Sequence, residues 1–419
     1  MPAPSPLTFK HTVQLLSAVL RFERPADAVL SQHFRENREL DRAGRAFAAE
    51  AVFGVLREKR MLDHVSANGR PRELVLAWLA RVAKHNTREL EPLLKRGEAE
   101  SFGQFKAVRM DDQPLAVRAE LPDWVVEKLL HSQPEADILA LGRALAKPAP
   151  LDLRVNTLRA KRDDVLRQLA GEGIAVSATP HAPHGLRIEG RPAINQHALF
   201  ANGTLEVQDE GSQLLCQLVA PGQYGLVVDF CAGAGGKTLA LGAMMQNKGR
   251  LYAFDTSSSR LRRLQPRLAR SGLSNVHPVT INNENDIRVK RLAGKATRVL
   301  VDAPCSGLGT LRRNPDLKWR QSPESTAELT IKQAAILRAA ATLLAPGGRL
   351  VYATCSLLAD ENAAIANAFA AAHPQFKLLS CDEVFEKQRM TLRTGPYLQL
   401  APHTHGTDGF FGAVFERTT

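Results

Sequence analysis

The sequence predicts an α/β protein in which an all-helical first domain and a small α/β unit precede a Rossmann-like domain built on a parallel sheet. Three observations carry this expectation. Residues 8–145 show almost only helical spacing of apolar residues, two prolines fall within Lys147–Pro150 where the texture changes, and from Gly225 onward strand-like and helix-like runs alternate. The expected domains are therefore 1–146, 147–220 and 221–419.

Taken in order, the first domain is expected to hold helices at Thr12–Phe22, Ala46–Arg60, Arg72–Lys84 and Pro122–His131, with Pro122 in a first helical turn and Trp124 facing a core. The unit after residue 147 reads as a strand at Leu151–Val155, a helix through Lys161–Ala170, a glycine turn, and short strands at Gly185–Ile188 and Thr204–Gln208. The last domain then alternates. Strands are expected at Leu226–Phe230, Arg250–Phe254, Val276–Val279, Arg298–Val301 and Arg349–Ala353, and helices at Lys237–Met245, Ser258–Ser271 and about 330–344. Such alternation implies parallel strands with right-handed crossovers. Tyr397–Ala401 and Phe410–Phe415 read as a terminal antiparallel pair, and Pro266 is expected to kink its helix.

The chain has 419 residues, 44% hydrophobic and 23% charged, which excludes collagen-like, coiled-coil and largely disordered classes. Its formal charge of +12 makes a polyanionic partner plausible without identifying it. Basic residues between Arg35 and Arg60 are interleaved with acids and read as a solvated face. No run approaches the ~20 apolar residues of a membrane span, and the patch Val13–Leu20 is broken by Gln14 and Ser17 with no cleavage site after it. Five cysteines without paired spacing read as reduced thiols, so a cytoplasmic location is expected. No metal set is expected, and nothing marks an oligomeric interface.

The first ligand signal is the turn after the strand Leu226–Phe230, which reads Cys231-Ala232-Gly233-Ala234-Gly235-Gly236-Lys237-Thr238. A strand, a glycine turn and a helix N-terminus let a ligand approach bare backbone and its free N–H groups. Gly236-Lys237-Thr238 matches the end of a P-loop, but Cys231 stands where that motif needs its first glycine, and the spacing is not that of a dinucleotide fingerprint. Asp255 closes the next strand, where a carboxylate can accept both ribose hydroxyls. An adenosine-bearing cofactor without a pyrophosphate, S-adenosylmethionine, fits best.

The second signal is a pair of thiols. Arg298–Val301 runs into Asp302-Ala-Pro-Cys305-Ser-Gly307, and Arg349–Ala353 into Thr354-Cys355-Ser356. On a doubly wound sheet these are neighbouring strands whose carboxyl ends lie beside the glycine loop. A thiolate is what methylation at carbon 5 of a pyrimidine requires, because addition at carbon 6 converts an inert ring carbon into an enamine nucleophile. Asp302 is placed to hold the ring N3 and amino group. A lone buried cysteine is usually a small core residue; two at adjacent strand ends argue for chemistry, and the CxxC spacing of a redox pair is missing.

Asp229-Phe-Cys-Ala-Gly-Ala-Gly-Gly-Lys-Thr238, Asp302-Ala-Pro-Cys-Ser-Gly307, Arg312-Arg-Asn-Pro-Asp-Leu-Lys-Trp-Arg320 and Thr354-Cys-Ser356 resemble the motifs of the Sun-type RNA cytosine-5 methyltransferases, as do Arg154-Val-Asn-Thr-Leu158 and Gln208-Asp-Glu-Gly-Ser-Gln213. The resemblance covers residues 150–415; the helical domain is similar, more loosely, to the NusB-like domain of a ribosomal RNA methyltransferase in that family. It implies that Cys355 attacks carbon 6 and Cys305 assists release, roles that the residues alone leave unassigned. It also implies cofactor contacts from Cys231 to Lys237 and from Asp255 and Asp302. The family's adenine-side position, often acidic, falls on Asn283, with Glu284 or Asp286 as possible substitutes.

Arg312, Arg313, Lys318 and Arg320 place four cations in nine residues after the Cys305 loop, where phosphates are expected to be held, joined by Arg154 and Asn156 of the upstream motif. Trp319 can stack on a base or sit in a core. By the resemblance the substrate is RNA, of the small-subunit ribosomal class. A transfer RNA cytosine-5 methyltransferase would share every catalytic residue, and a non-catalytic RNA-binding assembly factor would keep the basic segments without needing two thiols.

Overall fold

In the computed structural model the described residues are 2–66, 68–190 and 192–418. They form two compact units, residues 1–148 together with 310–323, and residues 149–309 together with 324–419.

The first unit is helical, as its spacing predicts. Pro6–Val19 starts at Ser5, whose side chain accepts from the Thr8 N–H, and buries Phe9, Leu15, Leu16 and Val19. Arg42–Arg57, capped by Asp41, buries Phe47, Ala48, Ala51, Val52, Val55 and Leu56, and Pro71–Arg81 buries every residue from Leu74 to Ala80. Each fully buried Leu or Val adds about 2 kcal/mol of transfer free energy. The helix Asp123–Leu130 departs in detail from its expectation. Pro122 caps it from outside the first turn, and Val125, Val126 and Leu129 supply its buried face while Trp124 is half-buried.

The segment 310–323 belongs to this unit because its side chains are held inside it. Lys318 is buried, and its Nζ donates to the carbonyls of Arg57 (2.8 Å) and Glu120 (2.7 Å). Trp319 packs against the same core and donates from Nε1 to the Leu56 carbonyl at 3.4 Å. Asp316 accepts from the N–H of Ala26, the first residue of the helix Ala26–Glu36.

The second unit carries two sheets. The smaller is antiparallel, with β1 (Leu151–Val155), β2 (Val176–Ala178), β3 (Gly185–Ile188) and β4 (Leu205–Val207) in the order β2-β3-β1-β4. It has its own apolar cluster around Leu153, Val165, Leu169, Leu186 and Leu205.

The larger sheet contains β5 (Leu226–Asp229), β6 (Arg250–Asp255), β7 (Val276–Thr280), β8 (Ala296–Asp302), β9 (Leu344–Thr354), β10 (Phe376–Leu379), β11 (Leu398–Leu400) and β12 (Phe410–Arg417). Its order is β10-β12-β9-β8-β5-β6-β7, with β11 paired to β12. The five strands from β9 to β7 are parallel, and β12 joins antiparallel to β9. The chain order reverses between β5 and β8, so ligands are expected at the carboxyl ends of those strands. The apolar runs Val227–Val228 and Val299–Val301 are buried on both faces, as central parallel strands require. The helix Ser258–Ser271 runs unbroken through Pro266, buries Leu261, Leu264 and Leu268, and ends at Gly272 with φ +81°.

Candidate active site

At the switch point, β5 ends in Asp229 and the chain turns through the glycine loop. Gly233 and Gly235 hold φ of +56° and +84°, which only glycine adopts freely. A Cβ on Gly235 would lie 2.1 Å from Leu264 Cδ1, whereas one on Gly233 would meet nothing within 4 Å, so the loop packs on one side and is open on the other. Arg267 braces the loop, donating from Nη1 to the Ala234 carbonyl at 2.6 Å while bonded to Glu206 of β4.

Asp255, at the end of β6, accepts from the N–H of Gly233 at 2.8 Å and of Ser257 at 2.7 Å. Each oxygen keeps a lone pair for a further donor. Asp229 is buried; its Oδ2 accepts from Thr238 Oγ1 at 2.6 Å, and Oδ1 has no hydrogen-bond partner among the described residues. Burial pushes its carboxyl up to about 7.

Lys237 Nζ donates to Asp302 Oδ2 at 2.7 Å. Burial works against the ammonium, but the charge of Asp302 and this hydrogen bond outweigh it and hold Lys237 above the usual lysine value. Beyond β8 and β9 the thiols of Cys305 and Cys355 stand 3.4 Å apart, and the Cys355 N–H donates to Cys305 Sγ at 3.3 Å. The hydrogen bond with Cys355, then burial, push the Cys305 thiol up. All five cysteines are free.

These features open on one cavity of about 470 Å³. Of the residues singled out in the sequence, Cys231, Ala232, Gly233, Ala234, Gly236, Lys237, Asp255, Asn283, Asp302, Cys305 and Cys355 line it, and Gly235 lies behind the loop. Glu284 lines it too, while Asp286 is turned to Arg288 and the Asn282 N–H. Sequence reasoning did not single out Asp229 within its motif, nor Ser212, Arg260 and Lys332, which also line the cavity. Lys332 is exposed and has no anionic partner among the described residues.

The expected RNA contacts fare differently. Lys318 is not a surface cation; its ammonium is spent on two carbonyls inside the helical unit. Arg312 is also buried, while Arg313 and Arg320 are half-buried, with Arg320 3.5 Å from Asp316. Arg154 is buried on β1 with its Nε on Gln208 Oε1 at 2.6 Å. Asn156 is buried and bonds the carbonyls of Gly203 and Ser271, each at 3.0 Å. As folded, Asn156 and Lys318 spend their polar groups on backbone carbonyls, and Arg154 is buried with its Nε on a glutamine. Their chemistry was readable from residue type; their direction was not.

Residues 216–416 match the family described as 16S rRNA methyltransferase RsmB/F, and residues 121–195 the ferredoxin-like domain of RsmF/B-like methyltransferases. A probable ribosomal RNA small subunit methyltransferase B of Synechocystis sp. is 32% identical, over 99% of this chain and 92% of that protein. The chain belongs to the RsmB/F methyltransferase family. A probable ribosomal RNA small subunit methyltransferase B of Bacillus subtilis is 30% identical, over 94% of this chain and 96% of its own. The crystal structure of NSun6 from Pyrococcus horikoshii with SFG shares the fold, with a TM-score of 0.62 and 20% identity over 71% of this chain and 98% of that one.

S-adenosylmethionine is the cofactor of an RsmB/F methyltransferase, and the residues fit it. The unpartnered Asp229 Oδ1, the open face of Gly233 and the carboxylate of Asp255 are a cradle for the polar groups of a nucleoside-sized ligand. No helix among the described residues is long and apolar enough to cross a membrane.

Proposed function

We propose that this RNA methyltransferase modifies carbon 5 of a cytosine in small-subunit ribosomal RNA through a covalent adduct with Cys355. The observation that carries the reading is the pair of thiols 3.4 Å apart on the cavity that also holds the glycine cradle. S-adenosylmethionine supplies the electrophilic methyl carbon.

Each residue then has a task. Asp229, the glycine loop and Asp255 hold the cofactor, and Asn283 or Glu284 faces its base. Lys237 keeps the Asp302 carboxylate in place, and Asp302 orients the cytosine by its N3 edge. The Cys355 sulfur forms a bond to carbon 6 and moves electron density to carbon 5. After carbon 5 is alkylated, a solvent base takes its proton, the C–H electron pair re-forms the carbon 5–carbon 6 double bond, and Cys355 leaves as a thiolate, restoring the aromatic ring. Cys305 assists that release. The reacting base has to leave its stack to enter such a cavity, which suits single-stranded or opened RNA.

The test is transfer of labelled methyl from S-adenosylmethionine to RNA from cells lacking the protein, followed by identification of the nucleoside. Label as 5-methylcytosine in small-subunit ribosomal RNA is expected. Cys355→Ala is expected to abolish it, and Cys305→Ala to accumulate an RNA adduct through Cys355. An adduct that survives Cys355→Ala and needs Cys305 reverses the two roles. Label in transfer RNA keeps the chemistry and overturns the substrate.

A further inference from the structure

Between the two thiol loops lies a carboxylate that the reaction above does not use. Glu361 is fully buried, and no lysine, arginine or histidine pairs with it among the described residues. A carboxyl buried this deeply needs hydrogen bonds to satisfy its oxygens. Here Oε1 accepts from the Ser306 N–H at 2.8 Å and from Gln333 Nε2 at 2.9 Å, while Oε2 accepts from Ser306 Oγ at 2.5 Å and from Ser356 Oγ. Ser306 follows Cys305 and Ser356 follows Cys355, and the two hydroxyls are themselves 3.1 Å apart. Gln333 also donates to the carbonyl of Pro304 at 3.0 Å, just before Cys305.

The ladder between β8 and β9 cannot do this work. Its register runs to Asp302 opposite Ala353, with one more bond from the Ala303 N–H to the Ala353 carbonyl. Past that point the thiols sit on irregular backbone. Glu361 closes a ring from Cys305 through Ser306 and Ser356 to Cys355. Its own backbone is anchored, because Tyr352 donates from its hydroxyl to the Glu361 carbonyl at 2.6 Å, and Asn362 Nδ2 bonds the Ser356 carbonyl at 3.0 Å.

We propose that Glu361 is a positioning residue for methyl transfer, holding the Cys305 and Cys355 loops together through the serine that follows each thiol. The proposal rests on the reading of these two cysteines as the reacting thiols. A site whose reacting groups drift by ~1 Å loses about a hundredfold in rate. The effect therefore falls on the chemical step and not on binding.

The experiment uses the full chain with Glu361→Ala, Glu361→Gln, Ser306→Ala and Ser356→Ala. Cofactor affinity and RNA KM are expected to stay near the parent values while kcat falls about tenfold to a hundredfold in the alanine variants. Glu361→Gln, whose amide can still bond both serines, is expected to recover most of the rate. A second readout needs no RNA. One thiolate attacks an aromatic disulfide and releases one aryl thiolate; the other thiol, on deprotonation, attacks the mixed disulfide and releases the second, leaving a Cys305–Cys355 bond mapped by peptide mass. The second release is expected to slow with loss of Glu361, Ser306 or Ser356. Folded variants with parental kcat and parental second release overturn the proposal. If Glu361→Ala does not fold, the two serine variants decide it. If the parent makes no 5-methylcytosine, the proposed reaction fails, and thiol closure alone decides on Glu361: slowed closure supports its role and unchanged closure ends it.

Discussion

The two units each bury a carboxylate near a lysine, Glu120 near Lys318 and Asp229 near Lys237, and the two clusters have opposite characters. In the helical unit Glu120 accepts from the N–H groups of Arg60 and Met61, both at 2.9 Å, and Lys318 lies 4.0 Å from it with its ammonium on two carbonyls. Burial pushes the Glu120 carboxyl up and the Lys318 ammonium down, but each has its partners. In the catalytic unit Asp229 is pushed up by burial in the same way, yet one oxygen is left without a partner among the described residues, and the residue lines a cavity. A satisfied buried cluster acts as a strut, whereas an unsatisfied one beside a cavity marks a ligand site.

The contrast can be broken most sharply at Lys318. Lys318→Met removes the ammonium, leaving two carbonyls unpaired and the buried Glu120 without its counter-charge inside the helical unit, so thermal or denaturant unfolding is expected to show a loss of about 3 kcal/mol. Cofactor affinity and the salt dependence of RNA binding are expected to stay as they are; a reduced salt slope would restore Lys318 as a phosphate contact.

At Asp229 the expectation is the converse. Asp229→Asn is expected to weaken S-adenosylmethionine by about tenfold or more in calorimetry, the scale of one hydrogen bond to a charged group. Glu120→Gln is expected to leave cofactor affinity unchanged.

The protonation of Asp229 sharpens the same point. Its pKa in the folded chain is about 7 against an ordinary 3.8, so the stability it contributes is complete below 3.8 and is lost as the pH rises through about 7. In cofactor-free protein, Asp229→Asn should therefore gain stability relative to the parent across that window. A difference in Tm that stays flat from pH 4 to pH 8 would contradict the assignment.

The smallest effect is expected at Lys332, the cavity-lining cation without an anionic partner among the described residues. If it holds a backbone phosphate near the target base, Lys332→Ala should lower the salt slope of single-stranded RNA binding by about 0.7 and leave cofactor affinity alone.

The sequence by itself determined most of the elements and the residue types gathered at the site. The apolar run Leu226–Phe230 with its glycine turn, the acid closing β6 and the two Cys-Ser pairs are local signals, because strand, turn and side-chain reactivity are written within a few residues. Two short strands, β2 and β10, were not legible. β10 is four residues that become a strand only through pairing with Val414–Arg417 of β12, and β9 begins at Leu344, well before the expected Arg349. Direction was not legible either. Arg154 and Lys318 read as cations for a phosphate, and only packing turned them inward. Glu361 was not singled out, since its role depends on Gln333 and Ser306, 28 and 55 positions away, meeting the carboxylate that Ser356 also reaches. A side chain's charge is a property of the residue. Whether that charge faces a ligand, a carbonyl or another loop is decided by which distant segments bury it, and only the tertiary structure specifies that.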